Sequence, residues 1–568
     1  MSAKRNRKAP RQESRNTVPL SHLSSASPTA ISDRPADWRI WLPLSAIVLV
    51  LSCWLLFFRL GHYPLWCDEA DTALYARGVA RTGDTYSLID HNLYASRDAK
   101  ALFNLCNRYE VPCSFYFAAP FVGVSGTSSF WPRIPFAICG LLSVVLLLYW
   151  MIRSRLTTAT WITLSIGLLS NVSFYLFCRQ CRYFSLAIML SLVIAYLYLN
   201  WNGRWTGIIG IMVASILLLW THYLPYAGLY AVLACDYLLF ARHRQRLKLS
   251  QWILLLGSQL IVGIVTVWIY NPIGLGVGLS DIPKGNLLLD KLTLIWWNLR
   301  DINTSEFCVG IVILAAPFVY LWTRNIWLLR GIVAVICYAA VVAILSPQPV
   351  AITTMADVRY LPAIIPLCIG LSALVVVSLA QYRWILASIL AVAVFVPNVL
   401  NHPFSPNQWC LRPAEFIGEL WNPREISTSL VVKWINKYVH ERESIYVEPE
   451  YMKSPLMYHA PHPVYAWHLN YVKKMETQFA SLPRIHFYAL SPPDYIILFK
   501  RPKAENRMSL QIMDGRVFEY QIAEIFDIYW NDLIRPELFW RSFRPIKDFN
   551  KDLEGVYVYR RVTPWEEK

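Results

Sequence analysis

Trp66-Cys67-Asp68-Glu69-Ala70-Asp71 lies just beyond an apolar run, Ile40 to Phe58, and sets three carboxylates in four residues where hydrocarbon gives way to water. From Asp68 to about Arg81, Ala73, Leu74, Ala76, Val79 and Ala80 recur at helical spacings, and Gly83 stops the pattern. This spacing predicts a short helix lying on the membrane surface with its acids at the N-terminal end. Two readings of those acids stand side by side. Asp68 as N-cap and Asp71 one turn later satisfy free amide groups and the helix dipole. Alternatively they serve a site, and the rest of the chain bears on that choice.

Of 568 residues, 56% are apolar and only 16% charged, with a mean hydropathy of +0.36. That balance excludes an ordinary soluble domain and points to a polytopic membrane protein. The net charge of +16 does not mark a nucleic-acid binder, because the basic residues sit in short segments between apolar runs. The twelve cysteines carry no paired CxxC spacing, so a zinc site is not expected; a divalent metal is possible but has no support in the sequence. Cys67, Cys106 and Cys113 share one loop, where an oxidising compartment would allow two of them to pair.

Residues 1–39, rich in Lys, Arg, Ser and Pro, read as a disordered cytoplasmic tail. Spans are expected near 40–58, 134–152, 157–177, 183–201, 205–220, 223–240, 251–271, 305–323, 331–346, 360–380 and 384–400, about eleven helices. The first is not followed by a cleavage site and is read as a span rather than a signal peptide. Cys113 to Val124 is too short to cross comfortably and is taken as re-entrant or interfacial. With it left out, the inner loops hold Arg153, Arg155, Arg204, Arg242, Arg324, Arg330 and Arg383. The outer loops then hold Asp68, Glu69, Glu110, Asp281, Asp301 and Asp357. The positive-inside rule is met throughout, placing the N-terminus in the cytoplasm and the C-terminus outside an inner or plasma membrane. Residues 61–112 then form an external loop, 40–400 the membrane domain, and 401–568 an extracytoplasmic soluble α/β domain. In the last, Ser427 to Glu443 reads as an amphipathic helix capped by Ser427. Ser444 to Val447, Tyr495 to Phe499 and Val556 to Tyr559 read as strands.

This topology gathers unusual polar residues on one face. They are Asp68-Glu69, Arg179-Gln180-Cys181-Arg182-Tyr183, Thr221-His222-Tyr223 and Asp357-Val358-Arg359-Tyr360-Leu361-Pro362, with Arg133 and Glu110 beside them. Two arginines in four residues next to hydrocarbon call for an anion, unless their heads merely snorkel to water. His222 also fits a purely structural turn, and Arg359 could simply pair with Asp357. Carboxylates facing guanidinium groups at a membrane boundary suit transfer from a lipid-linked phosphate. Arginines hold the phosphate, an acid takes the acceptor's proton, and apolar helices seat the lipid tail. No P-loop or dinucleotide fingerprint is present, which disfavours a soluble nucleotide donor.

Leu65-Trp66-Cys67-Asp68-Glu69-Ala70, Arg133-Ile134-Pro135, Arg179-Gln180-Cys181-Arg182-Tyr183, Thr221-His222-Tyr223 and Arg359-Tyr360-Leu361-Pro362 occur in an order that resembles GT-C membrane glycosyltransferases. The likeness covers roughly residues 40–400 and is nearest the bacterial protein O-mannosyltransferases and aminoarabinose transferases. It implies sugar transfer from a polyprenyl-phosphate carrier to an acceptor outside the cytoplasm, usually with inversion. Asp68 would be the catalytic acid with Glu69 its neighbour. Arg182, Arg359 and Arg179 would face the donor phosphate, and Glu110, Tyr183, His222 and Arg133 would line the substrate. The acceptor is a protein, a lipid or a glycan, and no cofactor is implied. Two positions depart from the family pattern: Cys181 stands where many relatives carry an acid, and Glu110-Val111-Pro112 replaces a His-Pro-Pro or Lys-Pro-Pro element. A transporter or lipid-linked glycan flippase is the main rival reading. It would place broken or polar helices near mid-membrane, whereas most runs here are continuously apolar.

Overall fold

Backbone in lipid has no water to bond, so long apolar runs must satisfy their own N–H and C=O groups as helices. The structure is a computed structural model and describes residues 37–95, 102–108, 110–201, 203–241, 248–270, 286–305, 309–346, 360–381, 383–395, 412–423, 425–468, 479, 481–501, 505–529 and 553–565. Helix α1 (Trp38–Phe57) leads to α2 (Cys67–Thr82), and two small β-ribbons follow, β1 (Leu88–Ile89) with β2 (Asn92–Leu93) and β3 (Leu102–Phe103) with β4 (Cys106–Asn107). The bundle continues with α3 (Cys113–Ser125), α4 (Phe130–Arg153), α5 (Thr158–Ser170), α6 (Val172–Cys178), α7 (Phe184–Leu199), α8 (Trp205–Thr221) and α9 (Tyr223–Asp236). After these come α10 (Leu249–Tyr270), α11 (Leu287–Ser305), α12 (Val309–Thr323), α13 (Ile326–Leu345), α14 (Ile365–Ala380) and α15 (Trp384–Phe395).

Each expected span meets helix in the described residues; 306–308 and 396–400, parts of two of those spans, lie outside them. Among the described residues six helices are long and apolar enough to cross a membrane, seven if α5 and α6, bent by 55° at Asn171, count as one. The remaining expected spans are shorter helices, so the eleven-span reading exceeds what length alone supports. Helix α11 was not foreseen, because Asp290 and Lys291 interrupt its hydropathy. Large side chains such as Ile253, Leu260, Ile264 and Trp268 on α10 stay exposed, the surface an integral membrane protein turns to lipid.

Two polar clusters mark the ends of the bundle. Where α9 ends, Asp236 takes a two-pronged ion pair from Arg330 of α13 (2.7 and 2.6 Å) and the hydroxyl of Tyr198 of α7 (2.8 Å). Where α9 begins, His222 meets Tyr183 at the start of α7 and Tyr360 ahead of α14. The residues 182, 183, 222 and 360 therefore share one end of the bundle.

Beyond α16 (Arg412–Trp421) and α17 (Ser427–Tyr438), the chain builds a six-stranded sheet from β5 (Ser444–Glu448), β6 (Val464–Tyr465), β7 (Tyr495–Arg501), β8 (Arg507–Gln511), β9 (Val517–Tyr529) and β10 (Leu553–Arg561). Its strand order is β6-β5-β7-β10-β9-β8. Strand β5 runs parallel to β6 and β7, with α18 (Lys453–His459) between β5 and β6, and the other pairs are antiparallel. Ser427 begins α17 rather than capping it, since Ile426 holds the cap position. One continuous core joins this sheet to the segment after α1: Tyr75, Leu93 and Phe115 pack in the same cluster as Leu456, Tyr465 and Ile497. Cys67, Cys106 and Cys113 are free thiols.

Gly78 of α2 shows how closely these pieces fit. A Cβ there would lie 2.3 Å from the backbone oxygen of Tyr86, a contact that only main-chain movement relieves. Gly78→Ala should therefore cost about 1–3 kcal/mol, the usual toll of overpacking. Gly370→Ala, whose added carbon meets nothing within 4 Å, should leave the melting temperature in detergent unchanged.

Candidate functional site

Helix α2 starts two residues earlier than its acids suggest. Trp66 is the cap residue, and Glu69 reaches back to accept its N–H at 3.3 Å, so Asp68 is not the N-cap. The helix ends at Gly83, whose φ of 80° is the left-handed turn that a glycine adopts without strain.

Glu69 is fully buried and sits in a two-pronged pair with Arg133, Nε donating to Oε1 at 2.9 Å and a terminal nitrogen to Oε2 at 2.6 Å. The Cys181 N–H also donates to Oε1, at 2.6 Å. Arg133 is equally buried and gives its remaining bonds to the carbonyls of Leu60, Tyr63 and Pro64. All five guanidinium donors are thereby spent. Burial pushes the Glu69 carboxyl up, opposed by Arg133 and by the Cys181 and Trp66 amides. These contacts correct two sequence assignments. Glu69 is a structural anchor rather than a catalytic group, and Arg133 has no donor left for a substrate.

Arg179 is corrected likewise. It is buried and donates to the carbonyls of Leu55 (2.7 Å) and Leu56 (3.2 Å) in the last turn of α1, where helix carbonyls run short of intrahelical amides. A helix end, not a phosphate, is the negative dipole it meets.

Arg182, three residues on, turns the other way. One terminal nitrogen lies 3.3 Å from Asp68 Oδ2; the other donates to the Asp68 carbonyl (3.2 Å) and the Thr72 hydroxyl (3.0 Å) and stands 4.0 Å from Glu110. Burial works against its charge, yet Asp68 and Glu110 outweigh burial and hold its pKa above the ordinary value. Asp68 and Glu110 remain partly open, with 22% and 34% of their side chains exposed. Arg182 also lies over the Tyr183 ring at 5.6 Å, Tyr183 packs tilted against His222 at 4.3 Å, and His222 meets Tyr360 at 5.3 Å. His222 Nδ1 accepts the Leu224 N–H (3.2 Å), so a neutral ring carries its proton on Nε2.

The structure thus brings Asp68, Glu110, Arg182, Tyr183 and His222 together, and sets Glu69, Arg133 and Arg179 behind them as framework. Arg359 lies outside the described residues; Tyr360, its neighbour, is in the cluster. Two members escaped the sequence reading as site groups. Thr72, one turn from Asp68, was legible only from helix phase. Asp71 was read as a helix-start acid, but burial and then the charge of Asp68 push its carboxyl up to about 7, against the hydroxyls of Tyr94 and Ser454 and the charge of Arg182. Among the described residues no group of three or more His, Cys, Asp or Glu could hold a metal ion.

Removing one partner of a fully buried pair strands the other. Glu69→Ala should therefore cost about 3–5 kcal/mol. Replacing both charges, as in the Glu69→Ala/Arg133→Met double variant, should recover part of that loss when thermal melts are compared in detergent.

No family model matches the sequence, and no curated protein matches it. Among solved structures, the chain is similar to ArnT from Cupriavidus metallidurans bound to undecaprenyl phosphate. That match has a TM-score of 0.44 and 14% sequence identity, and covers 82% of this chain and 94% of that one. The same protein in its apo state gives a TM-score of 0.39 and 13% identity over 81% and 92%. Both are structures of a GT-C aminoarabinose transferase, the group that the order of motifs in this sequence resembles.

Proposed function

We propose that this chain is a GT-C-type glycosyltransferase that moves a sugar from a polyprenyl-phosphate donor to an acceptor hydroxyl on the extracytoplasmic side of the membrane. The observation that carries the reading is the pairing of a partly exposed carboxylate, Asp68, with a buried arginine, Arg182, where the apolar bundle ends. An ion pair at 3.3 Å with one face open is one that a ligand can exchange. When a donor phosphate takes the guanidinium, Asp68 is released as a proton acceptor. The acceptor oxygen then attacks the anomeric carbon, its proton passes to Asp68, and the carbon–oxygen bond to phosphate breaks with the electron pair leaving on the phosphate. Arg182 offsets the charge that grows there, a task to which Arg359 is assigned by motif alone. Attack from the side opposite the phosphate gives inversion. Glu110 keeps Arg182 charged, and Tyr183 and His222 wall the donor side.

General-base contributions of about 10²–10⁴ in rate are usual, and Asp68→Asn should lose turnover on that scale while melting like the parent protein. Transfer from a labelled polyprenyl-phosphate sugar in membranes, with mass spectrometry of the glycans made with and without the protein, measures it. Undiminished transfer by this variant would remove Asp68 from the chemistry. Arg182→Gln should raise the KM for the lipid donor, and an unchanged KM and kcat would overturn its role.

A further inference from the structure

The C-terminal sheet meets α2 through α18, and one side chain of that helix reaches both halves of the framework. His459 is buried; its Nε2 accepts the N–H of Leu65 at 2.9 Å, and Nδ1 lies 2.8 Å from the carbonyl of Thr127. Leu65 is the residue before the cap of α2, three positions ahead of Asp68. Thr127 leads into α4 and Arg133. With Nε2 accepting, Nδ1 must be the donor, which fixes one tautomer of a neutral ring. Burial, above all, holds the ring neutral, with a pKa lowered to about 3; Arg133 and Arg77 face it and add to this, and the bond to Thr127 opposes it.

Neighbouring contacts tighten the same joint. The Tyr458 hydroxyl donates to the Ser128 carbonyl (3.1 Å), and Arg77 of α2 lies over the Tyr458 ring at 4.5 Å. Asn92, in the ribbon after α2, donates to the carbonyls of Pro461 (3.0 Å) and Pro463 (2.9 Å) and accepts from the Tyr465 N–H (2.8 Å). The Trp467 indole donates to Leu93 O at 2.6 Å. These bonds bridge more than 300 positions of sequence and none lies within a membrane helix.

We propose that the C-terminal sheet domain is a working part of the candidate site, and that His459 is a positioning residue that locks the Asp68-bearing helix to the Arg133-bearing helix. The catalytic sense of this rests on the transferase reading above; the mechanical coupling does not. His459 touches neither Asp68 nor Arg182 in any described contact, so it acts through the main chain of Leu65 and Thr127. A neutral imidazole with both nitrogens bonded is a fixed brace, not an acid or base.

Hydrogen–deuterium exchange on the full-length protein in detergent tests the coupling without any substrate. His459→Ala should raise exchange about tenfold or more at the amides of residues 65–72 and 127–133, while helices α7 and α14 keep their protection. His459→Gln, which retains a donor and an acceptor, should recover part of that protection. Unchanged exchange in both segments for the alanine variant would overturn the brace. In the transfer assay, His459→Ala should lower kcat with little change in donor KM, with partial rescue by glutamine. A kcat equal to wild type despite loosened segments would overturn the catalytic half of the inference. If the alanine variant does not fold, the same comparisons are made between His459→Gln and wild type, with the same outcomes deciding. Should Asp68→Asn retain transfer, the chemistry proposed above fails, while the exchange result still decides the coupling.

Discussion

The buried pair of Glu69 and Arg133 is the constraint on which the rest of this end of the molecule depends. Removing both charges from water costs several kcal/mol for each ion even after relaxation, and the loss is recovered only if every donor and lone pair is well placed. Here the recovery is complete on the arginine side, through two bonds to the carboxylate and three to main-chain carbonyls. The carboxylate takes two amides besides, from the cap of α2 and from Cys181. Four pieces of chain, the turn after α1, the start of α2, the start of α4 and the junction of α6 with α7, are thereby held around one charge pair. None of them can move without exposing an unmet ionic group in an apolar surround.

Adjacent residues on a helix point about 100° apart, and this separates two acids that look alike in sequence. Glu69 faces inward and is consumed by the framework. Asp68 faces the open side with one weak guanidinium contact. Because Glu69 also grips Cys181, the residue before Arg182, the anchor fixes both members of the exposed pair at once. The position of the Asp68 carboxylate relative to its arginine is thus set in part by bonds that neither of them makes, which is how a site keeps its geometry while its own groups exchange partners.

Much of this was legible in the sequence. Apolar runs gave the helices, and alternation gave three of the strands at nearly their observed positions. Asp68, Glu110, Arg182, Tyr183 and His222 were all singled out, and they do gather at one end of the bundle. What failed was the choice among neighbours of like charge. Arg179 and Arg182 sit three apart, and only the bend between α6 and α7 sends one to the end of α1 and the other to Asp68. Helix α11 was missed because acids and bases lower its hydropathy without breaking its helix propensity. The contact of α18 with α2 had no local signal at all. His459 stands in a stretch that carries no motif, and its partner Leu65 is 394 residues away.

Two arginines of α4 and the α6–α7 junction show what burial decides. Arg133 has nothing exposed and no spare donor, so any ligand would have to replace bonds that are already short and well aligned. Arg182 makes longer bonds to a carboxylate, a carbonyl and a hydroxyl, with a second carboxylate at 4.0 Å. Among the described residues, two acids stand around this arginine. Asp71, one turn along the same helix, adds a third carboxyl whose pKa is raised to about 7, by burial first and then by the charge of Asp68. On the proposed reading, an arriving phosphate would compete with Asp68 for the guanidinium. Donor binding and the ion pairing of Asp68 would then be linked through Arg182 by electrostatics alone, with no helix needing to move.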